Sequence, residues 1–400
     1  MKDKFLFIIT VILVIAAAGG LFYASKDYVS QLLEEPVTTE HVTYDNSAQP
    51  LPDENSENLL IYSSLSQDEK VQYNSIYSAV TDFEPSAAIS SENDVDSASA
   101  LLCYVLGDHP EIFWISGDLT YSSDGKITFT YIYNRDEAAQ LEARLEAEAN
   151  ALLSNVDLSA DDYTVSLGVY NTIVNSVSYD SALAESDTRN PASSTVEDAL
   201  LKKKAICTGY AKLMQYMLNR AGLRAAYVTG DAAQEGAYEG HAWVLHEMDG
   251  ALYYSDPTWG DCYEQTADNP YLICHTYFGM TLEDISSDHT LDEMFTPFEA
   301  TSTADSYYVH EGLYIREYSY DAVSEALLAD TDRFRLYDGG IELELRFADE
   351  NEYALAYAEL VDGQEIYGIT DEYRGVESTR LNFSQDDRRN AIMIYLKAVE

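Results

Sequence analysis

The dipeptide Asp249-Gly250 limits how this chain can fold more than any other feature. It stands between two runs that read as strands, His241 to Glu247 and Ala251 to Asp256. Asp-Gly in that setting signals a two-residue β-hairpin loop, because both loop positions need positive φ. The loop length then sets the register: Met248 faces Ala251, and Trp243 faces Asp256. Side chains alternate along a strand, so His241 shares a face with Trp243, and His241 and Asp256 become diagonal neighbours. One extra loop residue would reverse the parity. A carboxylate on the face of a histidine can fix its tautomer and stabilise the imidazolium. His246 falls on the opposite face, which argues against a metal shared by the two histidines.

Upstream lies the only basic run of the chain, Lys202-Lys203-Lys204, followed by Ala205-Ile206-Cys207-Thr208-Gly209-Tyr210-Ala211. Ser194-Thr195-Val196-Glu197 has the pattern of a capping box and predicts a helix through about Lys202. Leu213, Tyr216, Met217 and Ala221 mark the apolar face of a second helix, with Gly222 as its stop. Cys207 therefore falls at a helix amino terminus. There the backbone N–H groups and the helix dipole favour thiolate and can stabilise an oxyanion. A cysteine, a histidine and a carboxylate are the residue types that acyl transfer requires. The thiolate attacks the acyl carbon, the histidine moves the proton and the carboxylate orients the histidine.

The chain starts Met1-Lys2-Asp3-Lys4, and the run from Phe5 to Ala24 carries no charge. Its length suits a membrane-spanning helix, and the two lysines favour an inside amino terminus with the bulk outside. The rival is a cleaved signal peptide with Ala16-Ala17-Ala18 near the cleavage site. Either reading exports the remainder. Acidic residues number 70 against 23 basic ones, a net charge of −47. Such a surface repels phosphate backbones, so nucleic acid is not an expected partner. It also opposes docking on anionic lipid, which leaves the N-terminal segment as the expected membrane contact. Four cysteines, Cys103, Cys207, Cys262 and Cys274, are too few for a disulfide framework. A Cys262–Cys274 pair and two separate thiols both remain open. No cofactor or metal is called for.

The expected organisation is a membrane anchor or signal segment over 1–24 and an acidic linker over 25–58. An N-terminal α+β domain follows over 59–155, then a catalytic domain over 156–305 and a small α+β domain over 306–400. In the first domain, Ser66 to Val80 and Asp136 to Leu153 read as helices. Ile112 to Leu119 and Ile127 to Tyr133 read as strands joined through Ser122-Ser123-Asp124-Gly125. In the last, Tyr307 to Ile315 and Ala391 to Lys397 read as strands, Arg333 to Phe347 as a hairpin around Asp338-Gly339-Gly340, and Tyr320 to Ala329 and Glu352 to Leu360 as helices. That alternation suggests a ferredoxin-like unit.

Three segments together resemble the motifs of the transglutaminase-like superfamily. They are Lys204 to Ala211 around Cys207, then His241-Ala242-Trp243, then Tyr254-Ser255-Asp256-Pro257-Thr258-Trp259-Gly260-Asp261. Asp108 to Trp114, Asn175 to Asp180, Tyr277 to Met280 and His289 are similar to further segments of bacterial envelope proteins of that kind. The resemblance implies an α+β fold with a papain-like core, in which a nucleophile helix packs on an antiparallel sheet bearing the histidine and aspartate. It implies Cys207 as nucleophile, His241 as base and Asp256 as orienting carboxylate. His109 and His289 match family patterns and read as structural, and Cys103 reads as a core thiol. Val244 departs from the asparagine that many relatives carry after His-Ala-Trp. The implied function is an exported thiol enzyme that hydrolyses or transfers an amide acyl group. Its expected partner is a peptide, a protein or a peptide-bearing envelope polymer. The alternative from another class is a catalytically inactive binding or scaffold module at the cell surface.

Overall fold

Local capping starts most of the helices. Ser66 and Glu69 form a reciprocal capping box at the start of α1 (Gln67–Thr81), and Asn134 and Glu137 do the same for α3 (Arg135–Leu153). Asp94 caps α2 (Val95–Asp108) and Asp161 caps α4 (Asp162–Ser176). An acidic chain has carboxylates to spare for this work, and each satisfies a backbone N–H that the helix leaves unpaired. The computed structural model describes residues 8–9, 59–186, 195–234, 237–261, 273–295, 298–334 and 340–398. It is α+β and divides into two compact units, Met1–Glu247 with His289–Phe298, and Met248–Asp288 with Glu299–Glu400.

The first unit holds two main sheets. In one, the order is β1 (Ile8–Ile9), β3 (Ile115–Ser122), β4 (Lys126–Tyr131) and β2 (Ser86–Ala88). The β3–β4 turn ends at Gly125, whose φ of 85° only glycine adopts readily. β5 (Ser178–Tyr179) and β6 (Lys204–Ala205) form a short parallel pair. In the other main sheet, β7 (Ala225–Gln234) lies between β10 (His289–Leu291) and β8 (Ala237–Met248), antiparallel to both. α5 (Cys207–Arg220) is almost wholly buried. Gln215 Nε2 ties it to α2 by donating to the Gly107 carbonyl. Asp108, fully buried, accepts the N–H groups of Ile61 and Tyr62 at 3.0 and 2.8 Å and the Tyr73 hydroxyl at 3.1 Å.

Near Cys207, Thr195 and Asp198 make a reciprocal pair of capping bonds, while Ser194 of the expected capping box lies outside the described residues. The turn they open becomes a π-helix over Asp198–Lys202 and ends at Lys203, in the left-handed region. The basic run is spent on ion pairs within the unit: Lys202 with Asp198, Lys203 with Glu148 and Lys204 with Asp180.

The second unit begins with the turn and β9 (Ala251–Ser255). Its C-terminal sheet has the order β11 (Tyr314–Ile315), β12 (Ile341–Phe347), β14 (Ala391–Ala398), β13 (Val376–Asp386). β11 and β12 are parallel, and the other neighbours are antiparallel. With helices after β11 and β12 and a hairpin at the end, the sequence is βαβαββ, which is not the ferredoxin-like arrangement. Tyr307 to Ile315 is not one strand. Tyr307–His310 is helical, and Gly312 turns the chain into the two-residue β11. Tertiary contacts override the local β preference here: Tyr307 stacks on His275 at 4.2 Å, and the Tyr308 hydroxyl donates to Glu344 at 2.9 Å. Part of the expected hairpin, 335–339, lies outside the described residues.

Of the charge-free N-terminal run, only Ile8–Ile9 is described. The remainder, and the acidic linker, lie outside the described residues. Among the described residues, no helix is long and apolar enough to cross a membrane.

Tyrosine hydroxyls satisfy carboxylates in both units. Tyr133 donates to Glu197 at 2.8 Å, Tyr253 to Asp305 at 3.0 Å, Tyr318 to Glu359 at 3.1 Å and Tyr353 to Asp387 at 2.6 Å. A chain with 23 basic residues and 70 acidic ones lacks the cations for this, and its 33 tyrosines supply uncharged donors instead.

Candidate active site

Cys207 is the first residue of α5, and Ile206 before it is extended and gives no side-chain cap. The approach to this point is held on both sides. Ser178 N–H donates to the Lys203 carbonyl at 3.0 Å, and Asp180 N–H to the Ala205 carbonyl at 2.9 Å. The Tyr210 hydroxyl donates to the Val177 carbonyl at 3.0 Å. The segment Val177–Asp180 is thus a clamp on the residues that precede the cysteine, and Cys207 itself is buried.

The other groups along α5 are set against β7. Tyr227, buried, hydrogen-bonds the Thr208 side chain, and burial pushes its hydroxyl pKa well up. Lys212 Nζ lies 5.3 Å from the Tyr227 ring centroid. Desolvation lowers this lysine to about 8, with the Cys103 thiol pulling the other way. Burial, aided by Asp292, pushes the Cys103 thiol up to about 12. Val244, where the departure from the family pattern falls, is paired across the sheet with Tyr227 and is buried.

His241 lies opposite Gly230 in the β7–β8 register. Its ring stacks on Trp243, 23° from parallel at 6.1 Å, and meets His289 at 5.3 Å. Trp243 and His289 are edge to face at 4.9 Å. His289 therefore sits at the histidine face as a ring neighbour of His241. The family resemblance marks His289 as a structural residue, but no local pattern places it beside His241, because the strand that brings it back, β10, starts 48 positions later. The two imidazoles are nitrogen donors of the kind that a metal would use. His246 pairs with Ala225, on the other face, and burial lowers its pKa to about 3.

The turn after β8 has φ of 49° at Asp249 and 80° at Gly250. Positive φ at both positions is the type I′ geometry that a two-residue hairpin loop uses.

Asp256 belongs to the second unit and follows β9 directly. It is the N-cap of the short helix α6 (Pro257–Gly260). Its Oδ1 accepts the N–H of Thr258 at 2.8 Å and of Trp259 at 3.2 Å. Its own N–H donates to the Tyr277 carbonyl at 2.8 Å. Two donors converging on one oxygen fix the plane of the carboxylate, and Pro257 at the first helical position pre-sets the turn that supplies them. Asp256 is fully buried. In the same unit, Cys274 Sγ lies 3.8 Å from Met393 Sδ, while Cys262 lies outside the described residues.

Residues 152–257 match the family model of the Transglutaminase-like superfamily, so the chain carries a transglutaminase-like domain over that segment. Cys207, His241 and Asp256 all fall inside it. Among solved structures, the chain is similar to a candidate cysteine protease from Cytophaga hutchinsonii, at 18% identity over 32% of this chain and 43% of that one, with a TM-score of 0.25. It is similar to a TGase at 15% identity, over 46% of this chain and 53% of that one, with a TM-score of 0.28. A candidate protease from Parabacteroides distasonis aligns at 13% identity, over 70% of this chain and 56% of that one, with a TM-score of 0.25. The chain spans about half the length of these structures. No curated protein matches it.

Proposed function

We propose that this protein is an exported thiol enzyme that forms an acyl-enzyme at Cys207 and then hydrolyses or transfers an amide acyl group. The observation that carries the reading is Cys207 at the first position of a buried helix, inside the segment that matches the transglutaminase-like family. His241 is the base, and Asp256 orients it. Two features support that pairing. The turn has positive φ at both Asp249 and Gly250, which is the two-residue loop that the sequence register assumes. The anchoring of Asp256 Oδ1 holds the carboxylate in one plane.

In the reaction, His241 takes the proton of Cys207, and the thiolate attacks the amide carbon. The tetrahedral intermediate expels the amine, which receives that proton from His241, and a thioester remains. Water, deprotonated by His241, or an amine then attacks the thioester and releases Cys207 as the thiol. Favouring an amine over water requires a site that holds the amine close and excludes water. No sequence feature marks such a site, so the reading is hydrolysis, with peptide or envelope-polymer amides as substrates. The charge-free Phe5–Ala24 run supports a single-pass anchor with the enzyme outside the membrane.

The test is incubation of the full chain with an acyl donor and a labelled primary amine, following both products across amine concentration. Hydrolysis is expected to dominate at modest amine concentration, and both products should vanish in Cys207→Ala. Turnover that survives Cys207→Ala would remove the nucleophile assignment. Dominant amine incorporation would move the enzyme to the transferases. Absence of any acyl adduct on Cys207 would leave a binding module.

A further inference from the structure

The second unit buries an arginine that the chemistry above does not use. Arg389, between β13 and β14, has a side chain 2% exposed. Its guanidinium grips Asp288 with both nitrogens, Nη1 to Oδ2 and Nη2 to Oδ1, each at 2.8 Å. Asp386 Oδ2 lies 3.3 Å from Nη1. A planar fork on a carboxylate is rigid, and burial keeps solvent from competing with it.

The fork also holds a third group. Nη1 donates to the Tyr277 hydroxyl oxygen at 3.0 Å, while that hydroxyl donates to Asp288 Oδ2 at 3.1 Å. The guanidinium carbon lies 4.4 Å from the centroid of the Tyr277 ring. Tyr277 is thus fixed at its far end by charge, and its near end reaches Asp256 in two ways. Its carbonyl accepts the Asp256 N–H at 2.8 Å. Its ring meets the Trp259 ring edge to face at 5.1 Å, and Trp259 N–H is one of the two donors on Asp256 Oδ1. Every contact in this chain, from Arg389 through Tyr277 to Asp256, lies within one compact unit.

We infer that Arg389 is a positioning residue for Asp256, acting through Tyr277. The inference rests on the reading of Asp256 as the carboxylate that orients His241. A base that must present one tautomer needs its carboxylate held closely in place, and groups behind the reacting residues provide that support. Here the support comes from the C-terminal region, more than 100 positions from the aspartate in sequence.

The experiment uses the full chain and the rate at which iodoacetamide alkylates Cys207, followed by mass spectrometry across pH. Losing the support of Asp256 makes the imidazolium less stable, so the thiolate–imidazolium pair forms only at higher pH. Asp256→Asn sets the full size of that alkaline shift. Arg389→Lys keeps the charge but cannot fork, and Tyr277→Phe keeps the ring but removes the hydroxyl. Both are expected to move the profile in the same direction as Asp256→Asn, by a smaller amount. Tyr373→Phe is the control, since it removes another tyrosine hydrogen bond of this unit, to the Leu327 carbonyl, that touches neither Tyr277 nor Arg389. It should lower the melting temperature and leave the profile in place. Superimposable profiles for wild type, Arg389→Lys and Tyr277→Phe, with Asp256→Asn shifted, would overturn the positioning role alone. A profile unmoved by Asp256→Asn would remove the orienting role of Asp256 and the inference with it.

Discussion

His241 faces Gly230 across two antiparallel strands, at a point where a Cβ on residue 230 would lie 1.9 Å from the Thr290 carbonyl oxygen and 2.9 Å from the Trp243 ring. The glycine is what lets β10 approach closely enough for His289 to sit beside His241 and Trp243. Gly230→Ala must push β10 away, because a backbone oxygen cannot swing aside as a flexible side chain would. The expected cost is about 1–3 kcal/mol of stability, with a larger fractional loss of turnover than of stability-matched controls. Denaturant titration beside a turnover assay checks it.

The thiols should separate kinetically. Cys207 is expected to alkylate first in the folded protein. Cys103 should lag, because burial pushes its pKa up to about 12. Cys274 should also lag, being buried against Met393. His241→Ala should slow Cys207 and leave the other two unchanged. Peptide mapping after timed iodoacetamide exposure reads all three, and equal rates in the folded state would contradict the assignment.

Asp256→Asn should preserve the fold, since the amide oxygen can still accept the Thr258 and Trp259 N–H groups. Turnover should fall about 10³–10⁴-fold through the loss of charge and tautomer control. Unchanged turnover would place the orienting role on another group.

His246 adds a pH dependence unrelated to catalysis. Burial lowers its folded pKa to about 3, whereas an unfolded histidine titrates at about 6.5. Between those values the unfolded chain binds a proton that the folded chain refuses, so stability falls as pH drops through that window. Asp108 works in the opposite sense. Desolvation raises its folded pKa to about 6, so its contribution falls as pH rises from the unfolded carboxylate value of about 3.9. His246→Gln should flatten the acid side of the melting-temperature profile, removing a slope worth on the order of 5 kcal/mol in total. An unchanged slope would show that other groups set the acid limb.

The parts of the site that local rules govern were legible in the sequence. Asp-Gly between two alternating runs gave a turn with both φ positive, and the apolar spacing of Leu213, Tyr216 and Met217 marked the helix that Cys207 begins. Local sequence leaves the capping pair open, because Ser194-Thr195 offers two hydroxyls and Glu197-Asp198 two carboxylates; the described bonds are those of Thr195 and Asp198. β7 and β13 were not read as strands. β13 has only Val376, Leu381 and Phe383 among polar and charged residues, too little alternation to mark an eleven-residue strand, and β7 is largely small residues with a glycine. His289 and Arg389 reach their places through chain reversals over long separations, which no window of local sequence encodes. Tyr307-Tyr308-Val309 has strand-forming side chains, but stacking on His275 and a bond to Glu344 draw it into a helical turn.

The tyrosine-to-carboxylate bonds bear on the medium in which this protein works. Ion pairs weaken as dissolved salt screens them, with a Debye length of about 8 Å at physiological ionic strength. A phenol carries no charge, so its hydrogen bond to a carboxylate owes nothing to long-range attraction and loses little in brine. Dissolved cations would at the same time relieve the mutual repulsion of an excess of 47 negative charges. Both effects point the same way: a fold stapled by neutral donors under an anionic surface gains, rather than loses, cohesion as its surroundings grow saltier.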